Sequence, residues 1–263
     1  MSEHRVGLIG LGAIGREVAT RLAAGAIGPV SVTALMRRAV SDIPNVRCVS
    51  RLEDLIAARP HLVVEAAGHA GVAEYGPRLL SAGIPMVIAS VGALADGDLH
   101  ARLLAAAREG RTRLVLPSGA IGGIDYLEAV SASTGLRVRY CSRKPPAAWQ
   151  QEIKARGIAL ENLTSEIVLF EGNARAATLL FPQNLNVAAT LALACVGIDE
   201  SEVRVVADPK AKGNTHEIEI VSEVGRARMV FENNPSPTNP KTSALTALSI
   251  VRAVRADLRD FSD

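Results

Sequence analysis

Cysteine is scarce: Cys48, Cys141 and Cys195 are the only three in 263 residues. Their number is odd, no pair has C-x-x-C spacing and no histidine clusters with them, so neither a disulfide framework nor a zinc site is expected. They read as reduced thiols. An excess of one charge is also missing, since 29 Lys and Arg face 27 Asp and Glu for a net charge of +2. So balanced a surface gives no support to a nucleic-acid partner. Long apolar runs are absent too, because Gly, Arg or Glu interrupts each one before bilayer-spanning length, and no membrane partner is expected. Met1 leads through polar Ser-Glu-His-Arg straight into a strand-like segment, which leaves no signal peptide in the reading and places the protein in the cytoplasm. There is no internal repeat or low-complexity tract, and the one Pro/Asn-rich stretch, Asn233 to Pro240, reads as a connecting loop.

What is present is ordinary for a soluble enzyme: 48% hydrophobic and 21% charged residues in a chain long enough for two modest domains. From Val6 to about Pro117, short apolar runs alternate with Ala/Leu/Arg-rich stretches of helical period, which predicts βα units on a parallel sheet. The strand candidates are Val6–Ile9, Val30–Leu35, Leu62–Ala66, Met86–Ala89 and Leu114–Leu116, apolar throughout as buried parallel strands are. Ile14, Val18 and Leu22 line one helix, and Asp96 or Asp98 is placed to cap another before Leu99, Leu103 and Leu104.

After Pro117 the texture changes. Leu136–Tyr140, Glu166–Phe170, Val203–Val206 and Thr215–Val224 are β-rich, and several alternate polar with apolar, predicting a sheet with one open face. Helical segments fall at Ile124–Ala132, Ala174–Leu180 and Val187–Val196. The fold expected is therefore α/β: a parallel-sheet domain over 1–117, an α+β domain over 118–239, and a terminal helix over 240–263 that packs back on the first domain. Asn239-Pro240 would start that helix as N-cap and N1 proline, with Ala247, Ile250, Val251, Val254 and Leu258 as its apolar stripe.

Gly10-Leu-Gly12-Ala-Ile-Gly15 follows the first strand and opens an amphipathic helix. Glycines there let the backbone turn tightly and approach a pyrophosphate, whose charge meets free N–H groups at the helix start. This is the context of a Rossmann dinucleotide site, with Gly10, Gly12, Ala13, Ile14 and Gly15 as cofactor-binding residues. At the end of the second strand, where NAD sites usually carry an acidic residue, the chain reads Leu35-Met36-Arg37-Arg38. A guanidinium suits a 2′-phosphate, so Arg37 and Arg38 favour NADP or tolerance of both NAD and NADP, unless they are simply solvated.

Four further segments in the second half, Pro117–Gly123, Phe181–Thr190, Gly213–Glu219 and Asn234–Ser243, resemble those of the L-aspartate dehydrogenase family, and with the glycine loop they span nearly the whole chain in the expected order. The resemblance implies NAD(P)-dependent oxidation of L-aspartate to iminoaspartate and oxaloacetate, the reverse amination with ammonia, and a link to the early steps of NAD biosynthesis. It implies that His216 is the active-site histidine and that Ala120 and Asn186 contact the cofactor. A homodimer is expected.

The residues bear on this independently. Period-two alternation puts His216 on one strand face with Ile218 and Ile220, and Glu217 and Glu219 on the other. An inward histidine is either a packed core residue or a base, and oxidation at Cα needs a base near neutrality to take the proton of the α-ammonium. Lys212, Asn214, Lys241, Thr242 and Ser243 are candidate donors to the two substrate carboxylates. Asn184 and Asn186 could contact cofactor or cap the following helix, and Glu65 and His69 either approach the nicotinamide or merely meet water. Two other readings stay open: a related dehydrogenase acting on homoserine or a cyclic imine, and a dinucleotide-sensing protein without turnover.

Overall fold

Short strands rich in Val, Ile and Leu build the first sheet. The computed structural model describes residues 3–37, 42–237 and 239–259, and the chain divides into two units, Met1–Gly119 with Thr246–Asp263, and Ala120–Leu245. In the first unit, β1 (His4–Ile9), β2 (Val30–Leu35), β3 (Val46–Val49), β4 (Leu62–Glu65), β5 (Met86–Ile88) and β6 (Leu114–Val115) form a parallel sheet in the order β3-β2-β1-β4-β5-β6. The order reverses between β1 and β4, the switch point at which open α/β sheets bind ligands. Helices α1 (Ala13–Ala23), α2 (Leu52–Ala57), α3 (His69–Ser81) and α4 (Gly97–Glu109) connect the strands. Of the two possible caps for α4 it is Asp96 that serves, its Oδ1 accepting from Leu99 N at 3.0 Å, a contact worth about 1 kcal/mol.

The short β3 and α2 were not anticipated. Val46-Arg47-Cys48-Val49 carries an exposed arginine and only one fully buried residue, too little periodicity to mark a strand.

The terminal helix spans Leu245–Arg259. Its stripe of Ala247, Ile250, Val251, Val254 and Leu258 joins Val6, Leu8, Val18, Leu22, Val32 and Val64 in one buried cluster. Asp257, also on this helix and buried, pairs with Arg113 at 2.8 Å. The helix does not begin at Asn239-Pro240. That segment is a strand instead, and the residue after it, Ala244, donates its N–H to Asn234 O. Ladder bonds to a neighbouring segment satisfied this backbone before a helix could start, and Ser243 Oγ accepts from Leu245 N at the helix entrance.

In the second unit, β7 (Arg137–Lys144), β8 (Ile167–Asn173), β9 (Glu202–Ala207), β10 (Asn214–Ser222) and β11 (Gly225–Asn233) form a mixed sheet in the order β11-β10-β7-β9-β8. A small ribbon pairs β12 (Pro235–Ser236) with β13 (Asn239–Ser243). Helices α5 (Ile124–Val130), α6 (Gln150–Ala155), α7 (Ala174–Leu180) and α8 (Asn186–Leu193) complete it. The antiparallel hairpin β10–β11 turns at Glu223-Val224, so the strand expected to reach Val224 stops at Ser222.

Alternation along the central strands sorts the two faces. Val138, Tyr140, Ser142 and Lys144 of β7 are buried, as are Asn214, His216, Ile218 and Ile220 of β10. The opposite face is polar: Arg139 meets Glu202, Arg204 meets Glu171, and Arg143 meets Glu166, Glu217 and Asp208. The exposed pairs Arg139–Glu202 and Arg204–Glu171 contribute about 1 kcal/mol or less each.

Candidate functional site

The glycine loop has the shape a dinucleotide needs. Gly10 has φ +85°, and a Cβ there would lie 2.9 Å from Ala67 Cβ and 3.0 Å from Ala66 O, so the turn after β1 rests directly on the turn after β4. A Cβ on Gly15 would come within 2.1 Å of Gly10 O, which shows how closely α1 approaches that loop. At Gly12, by contrast, a Cβ would meet nothing within 4 Å. The backbone at Gly12 therefore faces open space at the start of α1, where Ala13 and Ile14 add the first N–H groups of the helix. These residues fit a pyrophosphate.

Beside them, Glu65 ends β4 fully buried. Its Oε1 accepts from Ala67 N at 2.6 Å, Gly68 N at 2.8 Å and Ser90 Oγ at 3.0 Å, and its Oε2 from Ser90 N at 3.0 Å. Burial pushes the carboxyl above its usual range, and these donors pull it back. It does not meet water but ties the turn after β4 to the turn after β5. His69 is half-buried at the first position of α3. Arg37 is exposed two residues beyond β2, close enough to Tyr75 of α3 to act on its phenol; Arg38 lies outside the described residues.

In the second unit, the chemistry-bearing residues form a buried polar row. His216 is 3% exposed and Tyr140 1%. Tyr140 Oη and His216 Nδ1 share a hydrogen bond of 2.7 Å, while His216 Nε2 is buried with no hydrogen-bond partner among the described residues. With Nδ1–H donating to Tyr140, the free lone pair sits on Nε2. Burial first, and then the Lys144 ammonium, push His216 down to about 3. The expected near-neutral titration is thus corrected: in the protein by itself the imidazole is neutral throughout the physiological range. Burial also raises the Tyr140 phenol, which stays protonated.

Lys144 was missed because β7 was expected to end at Tyr140. The strand continues for four more residues, and its last side chain is only 2% exposed. The Lys144 ammonium donates to Asn184 Oδ1 at 3.3 Å and lies 5.2 Å from the centroid of the Trp149 ring. Alternation Val138-Tyr140-Ser142-Lys144 was the available signal. Asn184 serves that lysine and does not cap α8, which starts at Asn186 with no side-chain cap at the preceding Leu185. Asn186 is half-buried in the first turn of α8. Ala120 is buried, its carbonyl accepting from Asn233 Nδ2 at 2.7 Å.

Among the expected carboxylate donors, only Asn214 shares the buried face with His216, two residues away on β10. Lys212 is exposed in the loop before β10 and lines a cavity with Thr215 and Glu217, on the opposite face from His216. Ser243 Oγ is engaged by Leu245 N, and Thr242 Oγ1 accepts from Asn239 Nδ2 at 3.3 Å. Lys241 lies in β13, and its side chain is outside the described residues. Cys141 sits on the charged face, where burial and Glu217 push its thiol up to about 11, so it is no nucleophile at neutral pH. Among the described residues no group of three His, Cys, Asp or Glu could hold a metal ion.

Comparison with known proteins decides the family. A model described as "Aspartate dehydrogenase, C-terminal" matches residues 125–257, and one described as "Homoserine dehydrogenase, NAD binding domain" matches residues 10–117. "L-aspartate dehydrogenase 2" of Bordetella pertussis is 48% identical, covering 98% of each chain. The chain belongs to the aspartate dehydrogenase family. The crystal structure of aspartate dehydrogenase from Thermotoga maritima superposes with a TM-score of 0.75 at 28% identity, covering 100% of this chain and 98% of that one. A hyperthermophilic archaeal homoserine dehydrogenase shares the fold with a TM-score of 0.60, at only 12% identity and 99% coverage of both. That resemblance shows how little the fold alone says of the substrate. As a member of the aspartate dehydrogenase family, the chain is an NAD(P)-dependent amino-acid dehydrogenase.

Proposed function

We propose that this protein oxidises L-aspartate to iminoaspartate, which hydrolyses to oxaloacetate and ammonia, and catalyses the reverse amination. The observation that carries the reading is His216: a neutral imidazole with its Nε2 buried and without a hydrogen-bond partner among the described residues, next to the Lys144 ammonium. Nε2 takes a proton from the substrate's α-ammonium, freeing the nitrogen lone pair that forms the imine as hydride leaves Cα. The bound nicotinamide supplies the hydride acceptor. Tyr140 holds Nδ1 so that Nε2 keeps its direction and tautomer. In the reverse direction the same nitrogen returns the proton. Gly10, Gly12, Ala13, Ile14 and Gly15 hold the pyrophosphate, Arg37 and Arg38 a 2′-phosphate when NADP is used, and Ala120 and Asn186 complete the cofactor contacts. Asn214 is the retained substrate donor, ahead of Lys212, Lys241, Thr242 and Ser243.

The deciding experiment is a spectrophotometric assay of purified protein with L-aspartate, L-homoserine and L-alanine, each with NAD and NADP. Aspartate is expected to be oxidised best, and His216→Asn to lower kcat by about 100-fold to 10,000-fold with dinucleotide affinity retained. Oxidation of homoserine in preference to aspartate, or tight dinucleotide binding without turnover of any amino acid, would overturn the reading. The half-buried free thiols suit the reducing cytoplasm, and the product suits a role in early NAD biosynthesis. A homodimer is the expected assembly, and light scattering of the purified protein reads it directly.

A further inference from the structure

We propose that the buried ammonium of Lys144, held by Asn184 beside His216, is the receptor for a carboxylate of the substrate; this rests on the aspartate reading above. The strand register carries the placement. His216 of β10 lies opposite Ser142 of β7, so Tyr140 and Lys144, two residues to either side on the same buried face, flank it diagonally. Such diagonal neighbours lie about 7 to 8 Å apart at the backbone, within reach of long side chains. Tyr140 engages Nδ1 of the imidazole from one side. Lys144 brings a cation from the other, and Asn184 Oδ1 and the Trp149 ring are among the groups that hold its side chain.

A short amino acid bridges that arrangement: its carboxylate accepts from Lys144 while its α-ammonium presents a proton to Nε2 of His216. Charge-assisted hydrogen bonds of this kind are strongest where water is excluded, as it is for a lysine 2% exposed. Exposed Lys212 offers no such environment. The arrangement also couples binding to chemistry. The Lys144 cation is one of the two influences that depress His216, and a carboxylate seated on it cancels that influence. The imidazole is then a better base with substrate bound than without.

The test uses Lys144→Met and Lys144→Arg in the full-length enzyme at saturating dinucleotide. KM for aspartate, the inhibition constant of succinate and the dinucleotide Kd are measured. In Lys144→Met the first two should rise by about tenfold to a hundredfold, the loss of one charge-assisted contact, while the dinucleotide Kd stays unchanged. Lys144→Arg keeps the charge and should fall between Lys144→Met and wild type. A loss seen for aspartate but not for L-alanine assigns the side-chain carboxylate, and an equal loss for both assigns the α-carboxylate; either upholds the receptor. A lower melting temperature with unchanged KM and succinate inhibition would overturn the proposal and leave Lys144 a packing residue. Should Lys144→Met not fold, Asn184→Leu, which removes the group holding the ammonium, is read in the same assays with the same expected direction. If wild-type protein does not oxidise aspartate at all, the functional reading has failed. Calorimetric titration of succinate into wild type and Lys144→Arg then judges the carboxylate receptor separately.

Discussion

Two glycines of the same loop should respond to alanine in opposite ways. At Gly12 the backbone is extended, φ −68° and ψ −170°, a conformation alanine adopts freely, and the new Cβ would meet nothing within 4 Å. Gly12→Ala should therefore fold normally, losing less than about 1 kcal/mol for a poorer helix cap. The open space is where the backbone must approach the pyrophosphate. A methyl group placed there costs about 1 to 3 kcal/mol of overpacking in the complex alone, raising dinucleotide Kd by about fivefold to 150-fold. At Gly15 the new Cβ would sit 2.1 Å from Gly10 O and 3.1 Å from Gly10 C, both backbone atoms of the tight turn. Relief requires α1 to move off the sheet, so Gly15→Ala should lose at least about 1 to 3 kcal/mol of stability before any ligand is added. For a chain of this size that is a fall of roughly 2 to 12 °C in melting temperature. Thermal unfolding without ligand, together with calorimetric titration of NAD and NADP, separates the two effects. Wild-type dinucleotide affinity in Gly12→Ala would refute the pyrophosphate cradle, and unchanged stability in Gly15→Ala would refute the close packing of helix on loop.

Arg37→Asp should weaken NADP by about tenfold or more while weakening NAD little, because only NADP offers the 2′-phosphate; equal losses measured by titration would remove Arg37 from the cofactor site. His216 titrates near 3 in the folded protein against an ordinary 6.5, so the unfolded chain binds the extra proton between those values. Its contribution to stability is whole above about pH 6.5 and is lost as pH falls toward 3, at about 1.4 kcal/mol per pH unit. Urea unfolding of wild type and His216→Gln across that window should show the shallower slope in the variant, and identical slopes would contradict a buried neutral imidazole. By the same shift, kcat/KM for aspartate should show no inflection from His216 in the neutral range. An inflection there that vanishes in His216→Asn would refute it.

Local pattern alone specified a good deal. Five of the six parallel strands, the glycine loop between β1 and α1, the stripe of the terminal helix and the inward face of His216 were all legible, because each depends on periodicity or on a turn that only glycine makes. Two of the departures from that reading share a cause. Asn239-Pro240 has every local mark of a helix start, yet the ladder between β12 and β13 claims its backbone. β7 runs past Tyr140 to Lys144 because β10 on one side and β9 on the other supply partners for the extra residues. Strand length is thus decided by neighbours distant in sequence, and with it the burial of Lys144 and its share in depressing His216. Sequence determined which residues carry chemistry and which face each one takes. Tertiary structure decided which of them meet, because a charge or a proton acceptor acquires its strength from the groups and the dielectric around it, and those come from elsewhere in the chain.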